Sequence, residues 1–369
     1  MYLGKEGDSM GKKSAVEKPV EKIGISRPES YDINGGKILI FGDLHISSSF
    51  SGSHKHYQLD CYTVMDLILK KVAEEKASAV IFLGDLFGVS EKNIRDRQFL
   101  MRTQNFFSLL NQATKGQVFS VKGNHDMGDF TDFDFFIGIG LIKNPMYINY
   151  YGVNEKGVNE GLEVRFHLVN YGDEEKPLHK TGDSSGATDI VLGHSDYYIE
   201  GVTNWYSAGK GVDLSQLSNF EGVALVFSGH IHMPSDEMLF TTIKNGESIG
   251  LFYLGCPTRT VERYDDCWYA VFEYGVAEDG TKATAYDCKL MGLEPADEVF
   301  YPEEDYDYAD DDNEAAERKE RSEKLTNIVK EIMDSRIMTG DINRQIEIFP
   351  GISDEVKQIA KSYLEKATV

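Results

Sequence analysis

The chain has 369 residues, of which 41% are hydrophobic and 27% charged, enough for one large or two ordinary domains. Its formal net charge is −23, from 38 Lys and Arg against 61 Asp and Glu. This acidity argues against passive electrostatic binding to DNA or RNA. No stretch approaches the roughly 18 to 20 apolar residues of a membrane span, and the first residues lack the apolar region of a secretory signal. We therefore expect a cytoplasmic protein with no membrane association.

Alternating strand and helix patterns begin near residue 36. The apolar run in residues 36–47 predicts a buried strand that leads into a loop, and the periodicity of residues 62–76 predicts a helix. Residues 78–88 predict a second strand, residues 93–113 a second helix, and residues 116–126 a third strand. Strands that alternate with helices of this length indicate βαβ units and a mostly parallel sheet.

Five further strand-like runs follow, with fewer helices between them, as expected of a second sheet. They are EVRFHLVNYG, TDIVLGHSDYY, VALVFSGHIH, GLFYLGCPTR and CWYAVFEYG. Between Glu294 and Glu317 the chain then has twelve acidic residues and no basic residue, which is typical of a solvated linker. Two helical patterns come after this acidic run.

These patterns divide the chain into four regions. Residues 1–35 are expected to form a polar, flexible tail, and residues 36–292 an α/β domain. Residues 293–313 are expected to be the acidic linker. Residues 314–369 are expected to be a helical region that either docks on a partner or packs on its own domain.

The cysteines give no sign of a metal site or a disulfide framework. They are scattered, without CxxC spacing, at Cys61, Cys256, Cys267 and Cys288. This favours four buried, reduced thiols.

Side chains suited to metal binding or acid–base chemistry recur where the predicted strands end. They are Asp43, His45, Asp85, Asn124, His125, Asp126, His194, His230 and His232. In an open α/β sheet the carboxyl ends of the strands lie along one edge, where ligands bind, so we expect these side chains to converge. Carboxylate, imidazole and amide ligands suit Mn²⁺, Fe or Zn²⁺. Two ions ~3.5–4 Å apart promote phosphoryl displacement, and Asp85, alone after its strand, is the candidate bridge.

The blocks DLH, GD, GNHD, GH and GHIH, in this order, resemble the calcineurin-like metallophosphoesterases. The resemblance implies a two-metal phosphoesterase with a four-layer α/β/β/α sandwich. It implies that Asp43, His45 and His232 bind the first metal. Asn124, His194 and His230 would bind the second, and Asp85 would bridge the two. His125 would contact the scissile phosphate and protonate the leaving oxygen. Asp126 would orient His125 or cap the following turn.

Within that superfamily, the segments GDLF, KGNHD, SGHIHMP and YLGCPTR are similar to the Mre11/SbcD nuclease branch, which includes phage recombination endonuclease subunits. This similarity implies a DNA nuclease acting in repair, recombination or phage DNA processing, in a bacterial or phage-infected cell. Manganese is the favoured metal, and Mg, Fe or Zn would also fit. Implied partners are DNA, a second copy of the chain, and an SMC-like ATPase bound through residues 314–369. Gly88 stands where some branch members place a second catalytic histidine, which puts exonuclease activity in doubt.

Two other functions stay open. A small-molecule phosphodiesterase or phosphatase, acting on cyclic nucleotides or nucleotide derivatives, would share the whole metal constellation and enclose it in a pocket. A non-catalytic interaction module on a phosphoesterase frame would be favoured by degraded ligand blocks. Here all seven ligand candidates and His125 are present.

Overall fold

The computed structural model describes residues 27–48, 57–88, 96–128, 131–154, 156–181, 186–203, 211–243, 246–258, 265–276, 282–295 and 299. The expected C-terminal helical region lies outside these residues, as do residues 1–26 of the expected tail and most of the expected linker. No described helix is both long enough and apolar enough to cross a bilayer.

The described helices and strands follow one another in a mixed order. The α-helices are α1 (Tyr57–Glu75), α2 (Arg97–Thr114) and α3 (Asp132–Gly138), and two 3-10 helices span Leu214–Gln216 and Ser218–Phe220. The strands are β1 (Ser30–Asn34), β2 (Lys37–Phe41), β3 (Ala77–Phe82), β4 (Val118–Ser120), β5 (Tyr147–Val153), β6 (Asn159–Val169), β7 (Thr188–His194), β8 (Tyr197–Tyr198), β9 (Val212–Asp213), β10 (Val223–Gly229), β11 (Leu239–Thr242), β12 (Ser248–Tyr253), β13 (Trp268–Val276) and β14 (Lys282–Leu290).

Local capping explains where the shorter helices begin. Asp96 accepts a hydrogen bond from the amide of Phe99, so α2 begins at residue 97. Residues 93–95 of the predicted helix lie outside the described residues. Thr131 and Asp134 form a reciprocal capping box at the start of α3, a helix that the sequence patterns did not predict.

The first sheet has the strand order β14-β13-β2-β3-β4. Strands β2, β3 and β4 are parallel, as the alternation of strands and helices predicted. Strand β13 pairs antiparallel with β2, so the run CWYAVFEYG belongs to this sheet and not to the second one. Helices α1, α2 and α3 cover its outer face through a core that includes Ile68, Phe107 and Phe136.

The second sheet has the strand order β1-β5-β6-β7-β10-β12-β11. Strands β6, β7, β10 and β12 run parallel to one another, whereas β5 pairs antiparallel with β6 and β11 pairs antiparallel with β12. Strand β1 lies within residues 1–35, so the boundary of the expected tail was placed too late. Its five residues pair with β5 in parallel.

The two sheets pack face to face around an apolar core. Ile40 and Ile81 of the first sheet and Phe166, Leu192 and Phe227 of the second are among its fully buried residues. On the far side of the second sheet, the described cover includes the two 3-10 helices, which bury Leu214 and Phe220. The α/β class with two layered sheets is thus confirmed, with short 3-10 helices in the described part of the fourth layer.

Candidate metal centre

The two sheets bring the carboxyl ends of five parallel strands to a common edge. From the first sheet, β2 leads into Asp43 and His45, β3 into Asp85, and β4 into Asn124 and His125. From the second sheet, β7 ends at His194, and β10 leads into His230 and His232. These residues are separated by up to 189 positions in the chain, and the face-to-face packing of the sheets is what brings them together.

The backbone at this edge is strained at the predicted ligands. The described non-glycine residues with positive φ are His45, Lys76, Asp85, Lys115 and His230. Lys76 and Lys115 directly follow helices α1 and α2, where a left-handed residue is common. The other three are predicted metal ligands, with φ between 43° and 73°. Such strain is concentrated at functional sites.

Two glycines permit the ligand loops to approach one another. A Cβ at Gly123 would lie 2.1 Å from Oδ1 of Asp85, and a Cβ at Gly229 would lie 2.3 Å from Oδ1 of Asp43. Since no side chain could be accommodated at these distances, the glycine in GNHD and the one in GHIH are required by the packing of the centre.

One cluster of ligands contains His45, His232 and Asp43. The Nε2 atoms of His45 and His232 are 2.9 Å apart, and Nε2 of His232 lies 3.8 Å from Oδ2 of Asp43. Bonds of about 2.0–2.1 Å to one cation leave imidazole nitrogens roughly 3 Å apart. These three residues therefore fit the first metal position that the sequence implied.

The second cluster contains Asn124, His194 and His230. Oδ1 of Asn124 lies 2.9 Å from Nε2 of His194 and 2.9 Å from Nδ1 of His230. The imidazole of His194 is oriented by a 2.8 Å hydrogen bond between Nδ1 and the carbonyl oxygen of Leu83. This arrangement fits the second metal position, with the ligating nitrogen of His194 set by its backbone partner.

Asp85 lies between the two clusters. Its Oδ2 atom is 3.6 Å from Nε2 of His45 and 3.3 Å from Nε2 of His194. Its Oδ1 atom accepts a 2.8 Å hydrogen bond from the amide of His125. One carboxylate oxygen therefore faces both clusters, as a bridging ligand must.

Burial and the neighbouring carboxylates shift the pKa values of the centre. Burial lowers the pKa of His45 to about 4, against the opposing charge of Asp85, so this imidazole is neutral at pH 7. Burial opposes the charged form of both His194 and Asp85. Their mutual attraction nevertheless holds the pKa of Asp85 well below its usual range, and Asp43 with Asp85 holds that of His194 well above it.

The donor set fits two divalent ions. Oδ1 of Asp43 is buried and accepts no hydrogen bond from the described residues, although Nδ1 of His194 lies 3.5 Å from it. A buried carboxylate of this kind favours a bound cation. Two groups, Asp85–His194–His230 and His45–Asp85–His125, each place their ligand atoms within 4.8 Å of one another. Divalent ions held here would activate water and polarise phosphoryl oxygens.

His125 and Asp126 occupy different environments although they are adjacent in the chain. His125 is exposed, and its ring centroid lies 5.0 Å from that of His45. Asp126 is fully buried, and its carboxylate accepts from the amides of Gly123, Leu86 and Phe87 at 3.0, 3.3 and 3.4 Å. Burial, followed by repulsion from Asp85, raises the pKa of Asp126 to about 8.

The sequence left two roles open for Asp126, orienting His125 or capping the following turn. The hydrogen bonds of its carboxylate tie the loop after β3 to the loop after β4, a contact that neither role predicted. It is a positioning residue, because it acts on the backbone that carries the ligands.

Three residues near the centre were not predicted. Tyr57 donates a 2.8 Å hydrogen bond to the carbonyl oxygen of His45, and the ring of Tyr171 lies 5.9 Å from that of His230. Cys256 forms a third group of candidate ligands with His45 and His232, although the spacing of the cysteines argued against a metal role. Of these three residues, only Cys256 could have been found from the sequence, since YLGCPTR places it just after a predicted strand, as the predicted ligands are.

The profile of one protein family, described as calcineurin-like phosphoesterase, matches residues 36–234. The chain belongs to this family. The match covers β2 to His232, and so contains all seven predicted ligands and His125. Metal-dependent hydrolysis of a phosphoester is therefore the chemistry of this family.

Two solved structures of similar proteins accompany the family match. A dimetal phosphatase from Danio rerio is 13% identical, with a TM-score of 0.38, over 64% of this chain and 92% of that chain. A conserved uncharacterized protein from Streptococcus pneumoniae TIGR4, a predicted phosphoesterase, is 13% identical with a TM-score of 0.29, over 70% and 92% of the two chains. No curated protein matches this calcineurin-like phosphoesterase.

Proposed function

We propose that this phosphoesterase is a two-metal DNA nuclease of the Mre11/SbcD type, acting in DNA repair, recombination or phage DNA processing. The observation that carries the proposal is the exposed His125 beside the two ligand clusters, with Asp85 between them. The segments GDLF, KGNHD, SGHIHMP and YLGCPTR support the same branch. The phosphoester-cleaving centre would thus act on a polymeric substrate.

The described surface around the centre suits a large substrate. Asn124, His230 and His232 are half-buried, and His125 and Met127 are exposed. The ring of Tyr171, beside His230, is 40% exposed. A nucleotide within a polymer could therefore reach the ligand edges from solvent, and Tyr171 could stack on an unpaired base. A small-molecule phosphodiesterase, the alternative that shares this chemistry, would be expected to enclose the centre.

Two of the described basic residues are neutralised by acidic partners. Lys122 is paired with Asp134 at 2.9 Å, and Arg102 with Asp66 at 3.1 Å. The net charge of −23 would slow the encounter with DNA. We therefore propose that a partner ATPase, bound through residues 314–369, supplies the DNA-binding surface, and that the chain acts as a homodimer.

The residues of this chain would have separate roles at the scissile phosphate. Manganese is the favoured metal, with Mg, Fe and Zn also suited to the donor set. Asp85 would hold the two clusters at a fixed separation, and the half-buried imidazoles would orient the phosphoryl oxygens. His125 would donate a proton to the departing alkoxide oxygen, a general-acid role that its exposed ring permits.

Gly88, in the turn after β3, helps to distinguish exonuclease from endonuclease activity. Gly88 replaces the histidine that some branch members have there, and its amide donates to the carbonyl oxygen of Ile46 at 3.2 Å. No imidazole can come from this position, so we propose endonuclease activity as the main activity.

The test is a substrate comparison with the purified full-length chain and Mn²⁺. The substrates are linear duplex DNA, circular single-stranded DNA, an aryl phosphodiester and cyclic nucleotides, and His125→Ala is the paired control. The proposal predicts that DNA is cleaved, that circular substrate is cut, and that the variant loses both activities. Hydrolysis of the small esters with intact DNA would replace it with the small-molecule function. Absence of all hydrolysis in a metal-loaded protein would favour the interaction module.

A further inference from the structure

Cys256 lies at the same edge of the fold as the predicted metal ligands. It is the third residue after β12, just as His232 is the third residue after β10. Since β12 pairs in parallel with β10, the two strands end side by side. Cys256 therefore stands at a position in the topology that elsewhere in this sheet carries a ligand.

The backbone fixes Cys256 beside the first cluster. Its amide donates a 3.2 Å hydrogen bond to the carbonyl oxygen of His232. The preceding residue, Gly255, has φ +82°, and its carbonyl oxygen lies only 1.9 Å from where a Cβ on Gly42 would be. The turn after β12 is thus held tightly between the first ligand loop and the GHIH loop.

The sulfur of Cys256 is within ligand range of both imidazoles of the first cluster. Its Sγ atom and the ligand nitrogens of His45 and His232 all lie within 4.8 Å of one another. The side chain is buried, with 3% of its surface exposed. Among the described cysteines, Cys256 alone belongs to such a group.

We propose that Cys256 is an additional ligand of the first metal position and that its thiolate sets the metal preference there. The thiol donates to the carbonyl oxygen of Thr258, with the two atoms 3.0 Å apart. A cation held at the first position would take the sulfur lone pair in place of the S–H bond, and the proton would pass to solvent. No electron is transferred.

A thiolate changes which ion the first position selects. Soft sulfur ligands favour Zn²⁺ or Fe²⁺, whereas carboxylate, amide and imidazole ligands also accept Mn²⁺. The second position, with Asn124, His194, His230 and the bridging Asp85, has no sulfur donor within its described group. The two positions therefore differ in kind, with Zn²⁺ or Fe²⁺ preferred at the first and Mn²⁺ accepted at the second.

This inference depends on the two-metal centre and not on the substrate, so its test measures metal binding and needs no turnover. Cobalt(II) is the probe, because a thiolate bound to Co²⁺ gives an intense charge-transfer absorption in the near ultraviolet that oxygen and nitrogen ligands do not. The full-length chain is titrated with Co²⁺ and compared with Cys256→Ser and Cys288→Ser. Cys288 on β14 is the matched control, since it is a partly buried thiol outside every described ligand group.

The expected result is a near-ultraviolet band in the wild type and in Cys288→Ser, and its absence in Cys256→Ser. In competition experiments, Cys256→Ser should also lower the preference for Zn²⁺ over Mn²⁺ at the first position by at least about tenfold. A wild-type protein that binds Co²⁺ without the band would overturn the proposal, whatever the stability of the variant. DNA cleavage could fail while the band is present, so the two proposals are tested separately.

Discussion

The backbone amide of His125 donates a 2.8 Å hydrogen bond to Oδ1 of Asp85. The residue proposed to protonate the leaving oxygen is thus held in place by the carboxylate proposed to bridge the two metals. Because this contact uses the backbone of His125, its imidazole stays free to turn toward the substrate. The same contact means that side-chain substitutions at the two positions should have separable effects.

Replacing His125 by Ala should remove activity and leave the metals bound. The lost proton transfer should lower kcat by about 10²–10⁴-fold, while the amide contact to Asp85 is retained. Asp85→Ala should lose both activity and metal, because it removes the group facing both clusters. Metal content by elemental analysis, measured beside kcat, separates the two outcomes. Full activity in His125→Ala at unchanged metal content would exclude the acid role.

The glycine of GNHD should be intolerant of a single methyl group. Gly123→Ala would place a Cβ 2.1 Å from Oδ1 and 2.3 Å from the amide nitrogen of Asp85, so the bridge must move. We expect metal affinity to fall by at least about tenfold, in the range of changes around metal ligands. Titration with Mn²⁺ measures this change.

Gly138→Ala is the matched control for that substitution. No atom lies within 4 Å of the added Cβ at the end of α3, so metal affinity should stay at the wild-type value. Equal losses in both variants would mean that the effect of Gly123→Ala is not local to the centre.

Asp126→Ala should destabilise the fold more than it impairs the chemistry. It removes the acceptor for the buried amides of Gly123, Leu86 and Phe87, and each buried donor left unpaired costs about 1–3 kcal/mol. Allowing for relaxation, we expect a loss of about 2–4 kcal/mol in the free energy of unfolding. Urea unfolding with EDTA measures this change. Asp126→Asn, which keeps an acceptor oxygen, should lose less, and equal losses in the two variants would contradict this account.

A buried pair on the second sheet should make stability depend on pH. His167 on β6 lies 2.8 Å from Oδ1 of Asp189 on β7. Burial lowers the pKa of His167 below 6.5. At Asp189 burial acts in the opposite direction, but the hydrogen bonds from His167 and Thr181 outweigh it and lower its pKa below 3.8. Both contributions to stability are present at pH 7.

Because both folded pKa values are depressed, the unfolded chain binds more protons on acidification. The His167 contribution is lost as the pH falls from 6.5 through the folded pKa, and the Asp189 contribution is lost below 3.8. The free energy of unfolding of His167→Gln should therefore fall less than that of the wild type as the pH is lowered from 7.5 to 5. Unfolding experiments with EDTA measure this difference. His179→Gln, at an exposed histidine, should behave as the wild type does. A pH dependence unchanged by His167→Gln would contradict the assignment.

The apolar runs and the helical periodicity of residues 62–76 predicted parts of the fold correctly. The structure contains β2, β3, β4 and α1 there. The short strand β1 and the capped helix α3 were missed because their sequences are too short to show a period. Strand β13 was assigned to the wrong sheet because alternation along one strand does not say which neighbour it pairs with.

The sequence by itself determined the chemistry of this protein, because the order DLH, GD, GNHD, GH and GHIH specifies both the donor atoms and their places after strands. Only the tertiary structure decided how these donors are arranged. The packing of two sheets sets one oxygen of Asp85 before both clusters, buries Asp126 beneath them, and brings Cys256 to His45 and His232. Cysteine spacing could not indicate this, since Cys256 and His45 are more than two hundred positions apart in the chain and their approach depends on strand order, not on sequence distance.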